Sequence, residues 1–153
     1  MTGLYKDIFF SADQRFTKAG LNNPLVTVIV TNYNYGHYVI QCLESIVAQK
    51  YQPLECIIID DCSTDSSASK IEEFLYTKSS PKQNFKLIYR NTNGGQLAAI
   101  KTGIDQAQGS FVALVDADDV LLEDFVETHI KYHLGEYTIA FTSSNQYQID
   151  GKG

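Results

Sequence analysis

Phe111-Val-Ala-Leu-Val-Asp-Ala-Asp-Asp119 is the stretch from which the fold of this chain is read. Its first five residues are apolar without interruption, too short a run for an ordinary helix, and they read as a strand buried on both faces. Three carboxylates within the next four positions end it abruptly. Three earlier runs have the same form. Leu25-Val-Thr-Val-Ile-Val-Thr31 stops at Asn32-Tyr-Asn-Tyr-Gly36, Leu54-Glu-Cys-Ile-Ile-Ile59 stops at Asp60-Asp61, and Phe85-Lys-Leu-Ile-Tyr89 leads to Asn93-Gly-Gly95.

Between these runs the apolar spacing becomes helical. Val39, Leu43, Ile46 and Val47 fall at i, i+4, i+7 and i+8. Ile71, Phe74 and Leu75 share one side of a helix that follows the N-cap types Ser63-Thr64-Asp65. Leu97, Ile100, Ile104 and Ala107 recur at helical spacing before Gly109. A helix over about residues 123–133 and a strand over residues 137–142 are expected to close the chain. Strands alternating with helices in this way predict an α/β fold: a mostly parallel sheet flanked by helices on both faces. Residues 1–23 form an extension in which Leu4, Ile8, Phe9 and Phe16 suit an amphipathic helix against the core or a partner subunit. Residues 24–153 form one domain.

Of 153 residues, 44% are apolar and 20% charged, and the net charge is −6. That balance lacks the clustered Lys and Arg that nucleic acid requires, so no nucleic-acid partner is expected. A phosphorylated small molecule can still bind if its charge is neutralised locally. No apolar run is long enough to cross a bilayer, and Lys6, Asp7, Asp13 and Arg15 around Ile8-Phe9-Phe10 are unlike a signal peptide. Cys42, Cys56 and Cys62 show no paired C-x-x-C spacing, which points to reduced thiols and a cytoplasmic setting.

Ligands of open α/β sheets bind beyond the carboxyl ends of the strands, and here four successive strand ends are polar or acidic. Residues i and i+2 of a strand share a side, so Asp116 and Asp118 are expected to face one point. Two carboxylates held together repel unless a cation lies between them, and hard oxygen ligands suit Mg2+ or Mn2+. The competing reading is that Asp118 and Asp119 cap the next helix or sit in a solvated turn. One of Asp60 and Asp61 can accept hydrogen bonds from a base or ribose, or cap the following helix. Asn93-Gly94-Gly95-Gln96 either brings backbone and a helix N-terminus to an anion or is a turn that needs positive φ. Tyr33 stands where its ring can stack on a base or pack at the sheet edge. His129 and His133 share a helix face, but the zinc context is absent and they read as solvated.

Taken together, these segments resemble family 2 glycosyltransferases, whose catalytic domains have the GT-A fold. The likeness lies in Val26-Thr-Val-Ile-Val-Thr-Asn-Tyr-Asn34, Leu43-Glu-Ser-Ile-Val-Ala-Gln49, Glu55-Cys-Ile-Ile-Ile-Asp-Asp-Cys-Ser-Thr-Asp65, Asn93-Gly-Gly95, and Gly109 through Asp119. It implies the Rossmann-like, nucleotide-binding half of that fold. It also implies a nucleotide-diphosphate-sugar donor, most often a uridine one (UDP), and transfer with inversion to a hydroxyl of a saccharide, lipid-linked or other acceptor. At the matching positions Thr31, Tyr33 and Asp61 would hold the base and ribose, with Asn93, Gly94, Gly95 and Gln96 nearby. Asp118 would ligate Mg2+ or Mn2+, and Asp116 would contact the ribose or the metal through water. The cation would act as a Lewis acid at the departing diphosphate.

The family's general base and acceptor segments lie farther along than this sequence reaches. The base is therefore expected beyond Gly153, and the domain is expected to be truncated on its C-terminal side. Asn32 stands where a small residue is frequent. Two rival readings remain. A signalling receiver would carry its acid pair after the first strand, whereas this first strand ends in Thr31-Asn32. A non-catalytic module that binds a nucleotide sugar, or serves only interaction, would share the same residues and lack the base. The apolar residues of the extension also make a homo-oligomer an expectation.

Overall fold

The computed structural model describes residues 23–78, 84–135 and 139–148. The expected N-terminal extension therefore lies outside the described residues, except for Asn23. Eight elements alternate: β1 (Val26–Asn32), α1 (Val39–Val47), β2 (Leu54–Asp60), α2 (Ser67–Lys78), β3 (Asn84–Tyr89), α3 (Gln96–Ile104), β4 (Phe111–Asp116) and α4 (Phe125–His133). The four strands form one sheet in the order β3-β2-β1-β4, and every pairing is parallel. β1 and β2 are buried at all positions, which explains their unbroken apolar runs.

Strand alternation divides the core in two. Val26, Val28 and Val30 of β1 and Leu54, Cys56 and Ile58 of β2 face a cluster that includes Leu43 and Ile46 of α1, Ile71 and Phe74 of α2, and Val126 and Ile130 of α4. Ile29, Ile57 and Ile59 face the other way, onto Ala99 of α3. Helices thus lie on both faces, as expected, three on one side and α3 on the other among the described elements. The chain winds outward from β1 through β2 to β3, then returns past β1 to β4. The reversal between β1 and β4 opens a crevice at their carboxyl ends. α3 lies close to the sheet because Gly103 has no side chain: a Cβ there would sit 2.5 Å from Ile29 Cγ2.

Two expectations are corrected at the C-terminal side. Residues 139–142 carry no strand; residues 137 and 138 lie outside the described residues. The physical reason is that this segment is tied to α4 rather than to a sheet edge. His129 and His133 are accordingly not solvated but half-buried, with ring centroids 4.4 Å from Phe125 and 5.1 Å from Phe111 respectively. His129 Nδ1 and His133 Nε2 lie 2.7 and 3.0 Å from Thr142 Oγ1, and His133 Nδ1 lies 2.9 Å from the Ile139 carbonyl. A carbonyl only accepts, so His133 carries its hydrogen on Nδ1. Its Nε2 then accepts from the Thr142 hydroxyl, whose oxygen accepts from His129 Nδ1.

Gly103→Ala is expected to lower the melting temperature. Overpacking costs about 1–3 kcal/mol, against the roughly 0.5–1 kcal/mol that Ala gains over Gly within a helix; a melting temperature above the parent's would contradict the contact. The histidine latch gives a pH dependence of definite sign. Burial first, and His133 second, hold His129 below its ordinary value of 6.5. A base whose folded value is depressed contributes stability that is present above its unfolded value and lost as pH falls. The melting temperature should therefore fall as pH drops below about 6.5, and Thr142→Val should weaken that dependence.

Candidate functional site

The sheet register brings the polar strand ends to one height. Thr31 pairs with Asp116, and Asn32 pairs with Asp60. A cavity of about 340 Å³ opens there, and its lining includes Thr31, Asn32, Tyr33, Asp61, Asn93, Gly95, Gln96 and Asp116. A larger cavity, about 700 Å³, runs along β4 toward α4 and residues 139–144. That one is lined by no Asp, Glu, Lys or Arg and lies below the strand ends. The smaller cavity is the one that coincides with the polar strand ends and the sheet's switch point, where open α/β sheets bind ligands.

Asp61 forms one side. It is 3% exposed and ion-paired with Arg90 Nη1. Its oxygens also accept the Gly95 N–H at 2.8 Å and the Gly94 N–H at 3.2 Å. The glycine amides that could have met a ligand anion are thus turned onto a protein carboxylate. Gly95 is needed for this, and Gly94 leaves room for the Arg90 guanidinium. Gly95, the N-cap of α3, has φ 79°, and a Cβ on Gly94 would sit 2.6 Å from Arg90 Nη2. Arg90 was not singled out from the sequence. Its signal was available, since it is the one basic residue at the four strand ends. Asp60 has a structural part: it accepts from Asn32 Nδ2 at 2.7 Å, Ser63 Oγ at 2.6 Å and the Ser63 N–H at 3.0 Å.

The loop bearing Tyr33 is clamped from below. Asn34, at φ 62°, presents Oδ1 to the Thr64 and Asp65 N–H groups at 2.7 and 3.2 Å. Asp65 accepts the Gly36 N–H at 2.9 Å, and Lys70 Nζ donates to the Gly36 carbonyl at 2.6 Å. Tyr33 and Tyr35 consequently stand on a braced rim, 43% and 38% exposed.

Asp116 forms the opposite side. Its Oδ1 accepts Thr31 Oγ1 at 3.0 Å and Gln96 Nε2 at 2.6 Å. The strand ends at Asp116, so Asp116 and Asp118 are not neighbours by strand alternation as expected; a turn relates them. Ala117 N donates to the Thr31 carbonyl at 3.1 Å, Asp119 N closes on the Asp116 carbonyl at 2.9 Å, and Ala117 is wholly buried. Asp118 is exposed and lies outside the cavity lining. Neither it nor Asp119 caps α4, which begins at Phe125 after Asp124.

The acids of this turn bear on Asp119 and on Cys42 beneath it. Burial, then Asp118 and Asp116, raise the Asp119 carboxyl above its ordinary value. Burial first, and then Asp119, Asp118 and Asp116, push the Cys42 thiol up to about 12. Ion pairs among the described residues join Arg90 to Asp61, Lys50 to Glu123, Lys101 to Asp105 and Lys131 to Glu127. None of these reaches Asp116, Asp118 or Asp119. The described residues hold no closed cage of three or more His, Cys, Asp or Glu groups. Asp118 and Asp119 stand exposed beside Asp116, and carboxylate oxygens of this kind are the donors that a hard divalent cation takes.

Known proteins share the family pattern and the fold. The pattern of glycosyl transferase family 2 matches residues 27–152. Glycosyltransferase GlyG of Streptococcus pneumoniae is 35% identical over 106 residues, 69% of this chain and 34% of that protein. Mannosyltransferase PcManGT from Pyrobaculum calidifontis, solved in complex with GDP-Man and Mn2+, has a TM-score of 0.70 and 28% identity over 74% of this chain and 33% of its own. S. aureus TarS 1-349 in complex with UDP-GlcNAc has a TM-score of 0.63 and 30% identity, covering 71% of this chain and 30% of its own. This chain therefore spans about a third of the length of these relatives. No helix of the described residues is long and apolar enough to cross a membrane. With the family pattern running through β1 to α4 and a four-stranded parallel sheet like theirs, the chain belongs to glycosyl transferase family 2, a family of transferases.

Proposed function

We propose that this chain is the donor-binding part of an enzyme that transfers a sugar from a uridine diphosphate donor to an acceptor hydroxyl, with inversion and with a divalent cation. The observation that carries the reading is one cavity at the sheet's switch point, walled by Asp61 and Asp116, with an acidic turn beside it that has no ion pair among the described residues. On this reading Tyr33 stacks on the base. Thr31, Asp61 and the 93–96 turn hold the base and ribose, and Asp116, oriented by Thr31 and Gln96, meets the ribose or the cation.

Asp118, with Asp116, would hold Mg2+ or Mn2+, which neutralises charge on the departing diphosphate when bound. The reaction breaks the bond between the anomeric carbon and the diphosphate oxygen and forms one to the acceptor oxygen, whose proton passes to a base. The cavity's two carboxylates are committed to hydrogen bonds within the protein. Neither is offered as that base. A cytoplasmic setting fits the free thiols of Cys42, Cys56 and Cys62.

Calorimetric titration with UDP and GDP, each with and without Mn2+ or Mg2+, tests this. UDP should bind more tightly with the cation, and Asp118→Ala should remove the metal-dependent gain while leaving the metal-free affinity. Preference for GDP would reverse the choice of base, and equal binding by Asp118→Ala would sink the metal assignment. Tyr33→Ala should weaken UDP by about tenfold with or without metal, as expected for a lost base–aromatic stack; an unchanged affinity would remove Tyr33 from the site.

A further inference from the structure

The acidic turn is held in place from the far end of α1. Eight residues join β4 to α4, and three successive positions among them are fastened to residues 45–50, at and just past the end of α1. The Leu121 N–H donates to Ser45 Oγ at 3.0 Å. The Leu122 carbonyl accepts Gln49 Nε2 at 2.7 Å. The Glu123 carbonyl accepts the Lys50 N–H at 2.9 Å, and the Glu123 side chain pairs with Lys50 Nζ at 2.7 Å. α4 has no side-chain cap from Asp124; its Val126 N–H instead meets Gln49 Oε1 at 3.0 Å.

Gln49 is 5% exposed, and its second Nε2 hydrogen goes to the Ser45 carbonyl at 3.1 Å. A primary amide buried with both donors and its acceptor engaged is costly to place and leaves strict geometry behind. Ser45 is built in the same way: it is 8% exposed, donates to the Cys42 carbonyl at 2.6 Å and accepts from Leu121. Upstream, the turn is secured to β1 by Ala117 N on the Thr31 carbonyl. Asp118 and Asp119 are therefore suspended between two anchors, β1 on one side and Ser45–Gln49 on the other.

We infer that Gln49 and Ser45 are positioning residues for the acidic turn, setting where Asp118 can meet a divalent cation. The inference rests on the proposed metal and donor site. The reason is mechanical: mutual repulsion drives the carboxylates apart, and an eight-residue connection yields to it unless its backbone is tied down. Neither residue touches the cavity, so loss of either should spare nucleoside binding.

The test uses the whole chain, the variants Gln49→Met and Ser45→Ala, and whichever of UDP and GDP the parent binds. Affinity is measured with and without saturating Mn2+, and folding is checked by far-UV circular dichroism and melting. The expected result is a metal-dependent affinity gain about tenfold smaller than the parent's, with metal-free affinity within about twofold. Ser45→Ala, which removes fewer contacts, keeps the test alive if Gln49→Met does not fold. Folded variants that retain the parent's metal-dependent gain overturn the inference. So do variants that lose both affinities in step, because that marks a general loss of structure. A parent that shows no metal-dependent gain instead overturns the proposed metal site beneath it.

Discussion

Parallel pairing of β1 with β4 is the contact on which the other features depend, and it is pinned at both ends. At the entry of β4, the Gly109 N–H donates to Thr27 Oγ1 at 2.9 Å, and Thr27 donates in turn to Glu55 at 2.5 Å. Glu55, 5% exposed, also accepts the Gln108 N–H at 2.7 Å. A Cβ on Gly109 would sit 2.6 Å from the Thr27 nitrogen, so the close approach excludes a side chain there. At the exit, Thr31 reaches Asp116. A slip of one residue would exchange the two faces of β4. It would bring Val115 rather than Asp116 opposite Thr31 and separate the acidic turn from the cavity.

The fold was legible because each strand states its burial plainly and each strand end breaks sharply. A run such as Val28-Ile29-Val30 cannot serve a solvated surface, and only a parallel sheet covered on both sides uses so many. The cavity was legible for a related reason, since Thr31, Asp61 and Asp116 are polar where a core would have continued. What could not be read were contacts between residues distant in sequence. Nothing near Arg90 announces that Asp61 is its partner, and nothing near Gln49 announces that it caps α4 across 77 positions. Periodicity also failed where no sheet edge was engaged: residues 139–142 are apolar enough for a strand, yet two histidines hold them instead.

The histidine latch and the acidic turn also show how α4 is shared. One end of this helix is capped by Gln49, just past the end of α1, and the other holds the segment that follows it. Its inner face contributes Val126 and Ile130 to the larger core cluster. α4 thus couples α1, the acidic connection and the C-terminal segment through side chains that are mostly uncharged. Such contacts are weakly affected by salt, unlike the exposed Lys50–Glu123 pair beside them.

The two walls of the cavity differ in how complete they are. On the Asp61 side, the carboxylate has a guanidinium and two amides, so its charge is balanced before any ligand arrives. On the Asp116 side, the donors are a hydroxyl and an amide, and two further carboxylates stand next to it. A neutral base or ribose loses little on entering the first wall, because the groups that orient it do not have to reorganise. A diphosphate approaching the second meets repulsion unless a cation comes with it. On the proposed reading this asymmetry orders the ligand: the nucleoside belongs beside Asp61, and the diphosphate belongs with the cation at the acidic turn. The same repulsion makes the bracing of that turn matter, since carboxylates with no ion pair among the described residues keep their spacing only as well as the backbone that carries them.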